Sequence, residues 1–359
     1  MNLQHLKIGY CPYSKDLSGP GDRRRFLYFA KTTRMNFEIA DPEKYYDIVL
    51  LTSHSNLSKW LSYKKKNPST KFIFEMIDSL IFSSDIFRDL FKGVGRLILG
   101  KESKLNFNYK NPVIRWLKIA DLVICSSLRL KNIIEEINVN VVISLDYLEG
   151  EVRSTKKNFE IGGKMKLAWE GQSVVLDNLL SYKNVFKEIN SFCELHIITD
   201  PTYGKFGGLI KVPTSKLLAK LPIDIIFHEW KMYNNYEILS NCDCGIIPID
   251  KENKMAWHKP ANKLISFWLS GTPTIVSNTP AYTDLMDRSG HPLYAKDSNE
   301  WISLIKYIRD LSTEERRSLA EHNLQYALKN YSDAILTKNW ENIFLEITEK
   351  DGKISMMYP

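Results

Sequence analysis

The residues best suited to chemistry lie in the stretch KPANKLISFWLSGTPTIVS, which runs from Lys259 to Ser277. Two lysines, Lys259 and Lys263, stand at the beginning of an apolar helical pattern, in a segment without any carboxylate. Free backbone amides at the start of a helix attract anions, and lysines add positive charge there. Pro260 suits the first turn of such a helix, because that position needs no amide hydrogen. The stretch therefore predicts a phosphate-binding helix start; two solvated surface lysines are the alternative.

Polar side chains continue along the same helical pattern. Asn262 and Ser266 are four residues apart, so they share one helix face with hydrogen-bonding groups. The opposite face is apolar and is expected to pack on a core: Leu264, Ile265, Trp268 and Leu269. Gly271 ends the pattern, and the β-branched run TIVS after it predicts a strand.

Three histidines and one aspartate are further candidates for contact with a ligand. His228 ends the apolar run IDIIFH, and His258 directly precedes the helical pattern. A histidine can contact phosphate or hydroxyl groups or transfer a proton, although one at a strand end is often a core or capping residue. Asp78 follows KFIFEMI and His54 follows YDIVLLTS, so both stand where a general base is expected, and we favour Asp78. Gly171, at the end of LAWEG, allows close approach of a backbone.

A basic stretch with two glycines, SGPGDRRRF, follows the first apolar run. Gly19 and Gly21 flank a proline in a predicted turn, and Asp22 is expected to cap a helix that starts at Arg23. Three consecutive arginines project in different directions around that helix. We expect Arg23 or Arg24, or both, to meet a phosphate and the rest to be solvated.

Short apolar runs alternate with helical patterns along the whole chain. Runs that are apolar throughout, such as YDIVLLT and DLVICS, indicate strands buried on both faces, and hence parallel α/β sheets. The alternation breaks in the charged, glycine-bearing residues 151–163 and then restarts. We therefore predict Rossmann-like domains over residues 1–150 and 164–330, with residues 151–163 as the linker. The helical residues 331–359 would cross back and brace the first domain.

Composition limits the possible partners and the location of the protein. The 359 residues carry a net charge of +7, which favours an anionic partner such as a phosphorylated substrate or a membrane surface. No nucleic-acid-binding motif accompanies this charge, so we expect no nucleic-acid partner. Residues 83–117 form a basic amphipathic pattern that suits an anionic membrane surface, with an ordinary surface helix as the alternative. Five cysteines without a CxxC pair, no secretory signal and no long apolar run predict a cytoplasmic protein.

Four of these stretches resemble one family of enzymes. KPANKLISFWLSGTPTIVSNTPAY resembles the donor-binding segment of GT-B-fold glycosyltransferases of the family-4, or group 1, type. SGPGDRRRF is similar to the glycine-rich loop after their first strand, and ADLVICSS to the strand before their interdomain region. LAWEG is similar to the strand and turn that open their donor domain. The resemblance covers most of the chain in order and topology.

The resemblance implies a GT-B fold with two facing Rossmann-like domains. It also implies transfer of a sugar from a nucleotide-sugar co-substrate, without another cofactor, to a glycan or lipid-linked oligosaccharide in bacterial surface polysaccharide synthesis, either lipopolysaccharide O-antigen or capsule. The expected donor-binding residues are Gly171, His228, His258, Lys259, Asn262, Lys263 and Ser266. The expected acceptor-binding residues are Gly19, Gly21, Asp22, Arg23 and Arg24, with Asp78 and His54 as the catalytic candidates.

The sequence departs from the family at one motif. Family members usually carry two glutamates eight positions apart, and alignment on Gly271-Thr-Pro273 places these at His258 and Ser266. No DxD-like carboxylate pair appears at a strand end either, so we expect transfer without a metal, with the basic helix start neutralising the leaving diphosphate. Two rival hypotheses stay open. One is a binding or assembly protein without catalysis, which the missing glutamates favour; the other is a nucleotide-sugar epimerase of GT-B shape.

Overall fold

A computed structural model of the chain describes residues 5–77, 110–152, 154–205, 210–232 and 234–348. The chain divides into two compact units. Unit 1 consists of residues 1–147 and 333–359, and unit 2 of residues 148–332. Asp78 and most of the basic segment 83–117 lie outside the described residues.

Unit 1 is built on a six-stranded parallel sheet with the strand order β2-β1-β3-β4-β5-β6. Its strands are β1 (Ile8–Cys11), β2 (Glu38–Ile39), β3 (Ile48–Thr52), β4 (Lys71–Met76), β5 (Leu122–Cys125) and β6 (Val141–Ile143). All residues of β1, β3 and β5 are buried, because helices cover both faces of the sheet. The order reverses between β1 and β3, and such a switch point opens a crevice at the carboxyl ends of the strands.

The helices of unit 1 that the structure describes include one from the C-terminal part of the chain. They are α1 (Pro20–Arg23), α2 (Phe26–Thr33), α3 (Leu57–Lys66), α4 (Lys110–Ile119), α5 (Leu128–Glu135) and α14 (Asp333–Thr348). Trp340 and Phe344 of α14 stack on Phe29 of α2, each with ring centroids 5.7 Å apart. Tyr28 Oη also donates a hydrogen bond of 2.5 Å to Asp333. The predicted return of the C-terminal helix to the first domain is therefore confirmed.

Unit 2 has a second six-stranded parallel sheet, with the order β11-β8-β7-β12-β13-β14, and a separate two-stranded antiparallel ribbon, β9-β10. Its strands are β7 (Met165–Glu170), β8 (Cys193–Thr199), β9 (Thr202–Lys205), β10 (Ile210–Pro213), β11 (Ile225–Glu229), β12 (Cys244–Ile247), β13 (Thr274–Ser277) and β14 (Tyr294–Ala295). The six parallel strands follow the order of a nucleotide-binding Rossmann sheet, whose switch point lies between β7 and β12. The prediction of two parallel-sheet α/β domains is confirmed.

The helices of unit 2 connect these strands. They are α6 (Lys183–Ile189), α7 (Ser215–Leu218), α8 (Asn234–Asn241), α9 (Lys254–Trp257), α10 (Asn262–Leu269), α11 (Pro280–Ser289), α12 (Ser298–Asp310) and α13 (Thr313–Tyr331). Two 3-10 segments, Glu149–Glu151 and Ser173–Tyr182, complete the unit. Within the described ranges, every helix is too short or too polar to span a lipid bilayer.

The helix α10 lies close to the sheet because the sequence supplies glycine at two contacts. A Cβ on Gly245 of β12 would lie 2.1 Å from the ring of Phe267, so only glycine admits this ring. Gly271 ends the helix with a φ of 72°, in the left-handed region that favours glycine. The predicted apolar face of α10 is fully buried. The prediction that Pro260 lies in the first turn of the helix is wrong. Ala261 is the N-cap, so the proline lies one residue before it.

Candidate functional site

Lys263 stands at the switch point of the unit 2 sheet. Its Nζ donates a hydrogen bond to the backbone carbonyl of Glu170, the last residue of β7, and lies 3.8 Å from Glu170 Oε2. The same Nζ lies 5.4 Å from the ring centroid of Trp169. A Cβ on Gly171 would be 3.0 Å from Nζ and 2.9 Å from the Trp169 ring, so glycine gives the lysine room to reach the strand end. Lys263 and the predicted Gly171 are thus brought together.

The ammonium group of Lys263 keeps capacity for an anion. Its side chain is 27% exposed, and an ammonium has three N–H donors, of which the Glu170 carbonyl uses one. Burial lowers the pKa of Lys263, the Glu170 carboxylate counteracts this, and nearby Lys259 lowers it further, so the pKa lies below its ordinary value. Lys259 itself is exposed. Two positive charges therefore lie beside the first turn of α10, which no side chain caps.

Asn262 and Ser266 lie on α10 in different surroundings. The Oδ1 atom of Asn262 is buried without a hydrogen-bond partner among the residues that the structure describes. A buried polar atom of this kind usually finds water or a ligand, since leaving it unpaired is costly. Ser266 Oγ donates to Tyr236 Oη at 3.2 Å, and Tyr236 is only 1% exposed. The serine hydroxyl is therefore directed at the protein, whereas its predicted contact with a donor stays a prediction.

The two histidines of the predicted donor site occupy separate places. His258 is the half-buried C-cap of the short helix α9, directly before α10. The prediction that His228 ends its strand is wrong by one residue, because β11 continues to Glu229. His228 Nε2 lies 3.0 Å from Nδ1 of His196, and His196 Nε2 lies 3.1 Å from Glu194 Oε1. Burial, and then the neighbouring His196, lower the pKa of His228, so its imidazole is neutral near pH 7.

Strand register relates His228 to the lysine site. Ile198 of β8 pairs with Glu170 on one side and with His228 on the other, so the three residues form one row across the sheet. Neighbouring strands lie about 4.8 Å apart, so this row places His228 roughly 10 Å from Glu170 on the same sheet face. That length is comparable with the distance between the diphosphate and the base of a nucleotide.

In unit 1, Asp22 stabilises the loop that follows β1. Its carboxylate is fully buried and accepts hydrogen bonds from Tyr10 Oη at 2.7 Å, Tyr13 N at 2.8 Å and both the backbone and hydroxyl of Ser14. The predicted helix start at Arg23 is wrong, because α1 begins at Pro20 and places Asp22 inside its first turn. Asp22 therefore supports the loop rather than capping a helix.

The glycines of this loop make room for its side chains. Gly21 is required because a Cβ there would lie 2.8 Å from the ring of Tyr13. Gly19 is the N-cap of α1, and a Cβ there would lie 3.2 Å from Ser14 Oγ. Arg23 and Arg24 are half-buried at the end of α1. The predicted contacts of these residues with an acceptor stay predictions.

Arg25 differs from its two neighbours, and its role was not predicted from the sequence. It is fully buried, not solvated as expected for the third arginine, and pairs with Glu75 of β4 at 2.6 Å and with Asp146 at 3.0 Å. Burial alone would lower the pKa of Arg25, but the two carboxylates more than offset this and raise it, so the guanidinium stays charged. A lone glutamate inside the apolar run KFIFEM was the available signal, since a buried carboxylate requires a partner.

The same cluster holds Tyr13 against His54. Tyr13 Oη donates to Glu75 Oε2 at 3.0 Å, and the Tyr13 ring meets the His54 ring edge-on, with centroids 5.2 Å apart. His54 follows β3, so both rings lie at the switch point of the unit 1 sheet. His54 is half-buried, and its catalytic role stays a prediction. Asp78 lies outside the described residues, so its predicted role likewise stays untested.

Within the part of the chain that the structure describes, no group of three histidines, cysteines or carboxylates is arranged to hold a metal ion. All five cysteines are buried, and Cys242 and Cys244 flank the start of β12 as structural residues. Asp243 between them accepts a hydrogen bond from Lys166 N at 2.8 Å.

Comparisons with known proteins concern the fold. No family model and no curated protein matches the sequence. Among solved structures, a glycosyltransferase from Rickettsia africae is 12% identical, with a TM-score of 0.59 over 90% of this chain and 80% of that one. HepE from Anabaena, solved with UDP-glucose, is 11% identical, with a TM-score of 0.58 over 95% of this chain and 100% of that one.

TarM is a third similar structure, at 10% identity and a TM-score of 0.56 over 83% of this chain. The chain spans 54% of the length of TarM, about half of that protein. An α-glucosyltransferase solved with UDP is also similar, at 10% identity and a TM-score of 0.56. These similarities, together with the two parallel sheets and the returning C-terminal helix, show that the chain has the GT-B fold of these glycosyltransferases.

Proposed function

We propose that the chain is a glycosyltransferase that takes a sugar from a nucleotide-sugar donor bound by unit 2. The observation that carries this proposal is the Lys263 ammonium, held by the Glu170 carbonyl at the switch point of a Rossmann sheet. Ligands of such sheets bind at this point, outside the carboxyl ends of the strands. The similar structures solved with UDP-glucose and with UDP lend support at the level of the fold.

The chemistry proposed for Lys263 is stabilisation of the leaving group. When the bond between the sugar and the diphosphate breaks, negative charge develops on the phosphate oxygens. Lys263, Lys259 and the uncapped amides of α10 would meet that charge, at a site where the ammonium is already positioned before the donor arrives. Charge neutralisation by these groups needs no metal, so we propose metal-independent transfer. Full activity in the presence of EDTA is the expected result.

The nucleoside part of the donor would extend from Lys263 towards β11. His228 lies in the same row of the sheet as Glu170 and is neutral, so its ring can exchange a hydrogen bond with a ribose hydroxyl or a base. We propose that His258, the C-cap of α9, contacts the sugar. On the resemblance to family 4, His258 and Ser266 stand where that family carries its two glutamates. We therefore propose that imidazole and amide groups, including Asn262, replace the carboxylate contacts.

The acceptor would bind to unit 1, at the loop after β1. Arg23 and Arg24 supply positive charge beside the switch point, which suits the diphosphate of a lipid-linked oligosaccharide. Of the two candidates for a general base, His54 is the one that lies within the described residues. The net charge of +7 agrees with a protein that works at an anionic membrane surface. We propose a cytoplasmic enzyme of bacterial surface polysaccharide synthesis, acting on a glycan or lipid-linked acceptor.

A donor screen tests the proposal. Melting temperature would be measured with UDP-, GDP-, dTDP- and CMP-sugars, for the natural chain, Lys263→Ala and the control Lys306→Ala, whose exposed lysine lies on α12. We expect one nucleotide class to stabilise the natural chain and Lys306→Ala, with most of the effect lost in Lys263→Ala.

Product analysis then separates the rival functions. Slow donor hydrolysis without an acceptor supports a transferase, conversion to an epimeric nucleotide sugar indicates an epimerase, and stabilisation without any turnover indicates a binding protein. If no nucleotide sugar stabilises the natural chain, the proposed donor site is wrong.

A further inference from the structure

A polar cavity lies in unit 2, and Lys263 is not among the residues that line it. It has a volume of about 230 Å³ and opens at the carboxyl ends of β12, β13 and β14. Aromatic and polar side chains line it together, among them Tyr182, Trp257, Asp250, Asn278, Asp297 and Ser298. None of the residues that line the cavity belongs to the proposed donor contacts. The donor site therefore leaves this cavity without a function.

The floor of the cavity is fixed by hydrogen bonds within the protein. Tyr182 Oη donates to the carbonyl of Ile249 at 2.9 Å and lies 2.9 Å from Ser277 Oγ. Ser277 Oγ in turn accepts from the backbone N–H of Ile249 at 2.8 Å. These three residues thus hold one another, so a ligand would meet a preformed surface rather than having to order it.

Charge indicates which ligand the cavity suits. Two carboxylates, Asp250 and Asp297, and two lysines, Lys251 and Lys296, line it, so the four formal charges cancel. An anion such as phosphate gains little from such a balanced lining, and neither does a cation. Asp297 uses only Oδ1 to cap α12, with bonds of 2.9 and 3.0 Å to Asn299 N and Glu300 N. Its Oδ2 makes no hydrogen bond within the described part of the chain and can accept one from a ligand hydroxyl.

The aromatic residues supply the apolar part of the lining. Trp257 is half-buried, whereas Trp301 is only 2% exposed and packs edge-on against Tyr182 with ring centroids 5.5 Å apart. An indole surface beside carboxylate, amide and hydroxyl groups matches a pyranose ring, which has apolar C–H faces and a rim of hydroxyls.

From this geometry we infer that the cavity is a carbohydrate-binding site for one neutral pyranose ring. Its volume of about 230 Å³ lies below the range of about 300–1,000 Å³ that accommodates drug-sized ligands, which limits the occupant to a single ring. The ring can come from a free monosaccharide or from one unit of a longer glycan. The site goes beyond the proposed transfer reaction, since it would hold a sugar that does not react.

The test is direct binding to the full chain, with the cavity filled by mutation. Saturation-transfer NMR would be recorded with the methyl glycosides of glucose, galactose, mannose and N-acetylglucosamine, and with a trisaccharide of each. Ser298→Trp places an indole in the cavity from an exposed position in the first turn of α12, and Asn299→Trp makes the same change one residue away, outside the lining. Nucleotide binding would be measured in both variants.

We expect at least one glycoside to bind with a dissociation constant in the millimolar range. Ser298→Trp should weaken binding by about tenfold or more, equivalent to about 1.4 kcal/mol, while Asn299→Trp and Lys263→Ala leave it unchanged. If the trisaccharide binds more tightly than the methyl glycoside, the site is assigned to a glycan chain. If the two bind equally, the site is assigned to a free sugar. The inference is overturned if no glycoside binds, or if binding survives Ser298→Trp. Failure of the donor proposal would show separately, as absence of nucleotide binding in the natural chain.

Discussion

Replacing Arg25 by methionine should destabilise unit 1 severely. The guanidinium of Arg25 is fully buried and lies between Glu75, which is also fully buried, and Asp146, which is 13% exposed. Methionine retains most of the side-chain length but leaves both carboxylates without their cation. Removing one partner of a buried ion pair typically costs about 3–5 kcal/mol, because an uncompensated charge stays in the interior.

The size of unit 1 converts this cost into a melting temperature. For domains of about 150–250 residues, each kcal/mol lowers the melting temperature by about 2–4 °C, so we expect a loss of roughly 6–20 °C. Circular dichroism and calorimetry would measure it. Lys44→Met is the matched control: Lys44 pairs with Glu38 at 3.0 Å, but both side chains are about half exposed, and exposed pairs contribute at most about 1 kcal/mol.

A second variant separates charge from packing. Arg25→Met combined with Glu75→Leu removes the buried carboxylate as well, so it should recover part of the lost stability. If Arg25→Met melts within 2–4 °C of the natural chain, about the effect of 1 kcal/mol, the buried ion pairs of Arg25 do not stabilise unit 1 as described. Equal losses in Arg25→Met and Lys44→Met would contradict the account in the same way.

Three further predictions concern the loop, the histidine pair and the lysine. Gly21→Ala should lower stability by about 1–3 kcal/mol, because its Cβ would lie 2.8 Å from the Tyr13 ring; urea unfolding measures this, and an unchanged midpoint would show that the loop adapts. The pKa of His228 is lowered in the folded state, so the stability linked to it is present above the unfolded pKa of about 6.5 and is lost as pH falls through the folded pKa. Replacing His228 by glutamine should therefore flatten the decline in melting temperature between about pH 7 and pH 5, and a parallel decline in both proteins would argue against the pair with His196. The pKa of Lys263 lies below its ordinary value of about 10.4, so donor affinity should begin to fall at a lower pH than for an unperturbed lysine. Binding titrations at increasing pH up to that value measure this. A constant affinity would show that the lysine does not contact phosphate.

The sequence predicted the elements that local pattern determines. The run IVLLT of β3 is apolar at four of its five positions, and all five are buried, as expected for a strand inside a parallel sheet. The four residues predicted to form the apolar face of α10 are likewise buried, since helical periodicity alone places them on one side.

Contacts between distant residues could not be predicted in the same way. Lys263 meets Glu170 across 93 positions of the chain, and this contact depends on the strand order and on the room left at Gly171. The prediction that Arg25 is solvated was wrong for a local reason: α1 begins at Pro20, three residues earlier than expected. The role of Asp22 could not be predicted from its residue type, because an aspartate serves equally well as a helix cap and as a buried hydrogen-bond acceptor in a loop.

The donor site at Lys263 is the central claim, and its most direct test compares phosphate with nucleoside. Calorimetric titration would use the nucleoside diphosphate that stabilises the protein most, and the matching nucleoside, on the natural chain, Lys263→Met and Lys306→Met. A hydrogen bond to a charged group contributes about 1.5–3 kcal/mol, so Lys263→Met should weaken the diphosphate by roughly 10- to 150-fold and leave the nucleoside unchanged. Lys306→Met should match the natural chain with both ligands. Equal affinity of Lys263→Met and the natural chain for the diphosphate would contradict the placement of the donor.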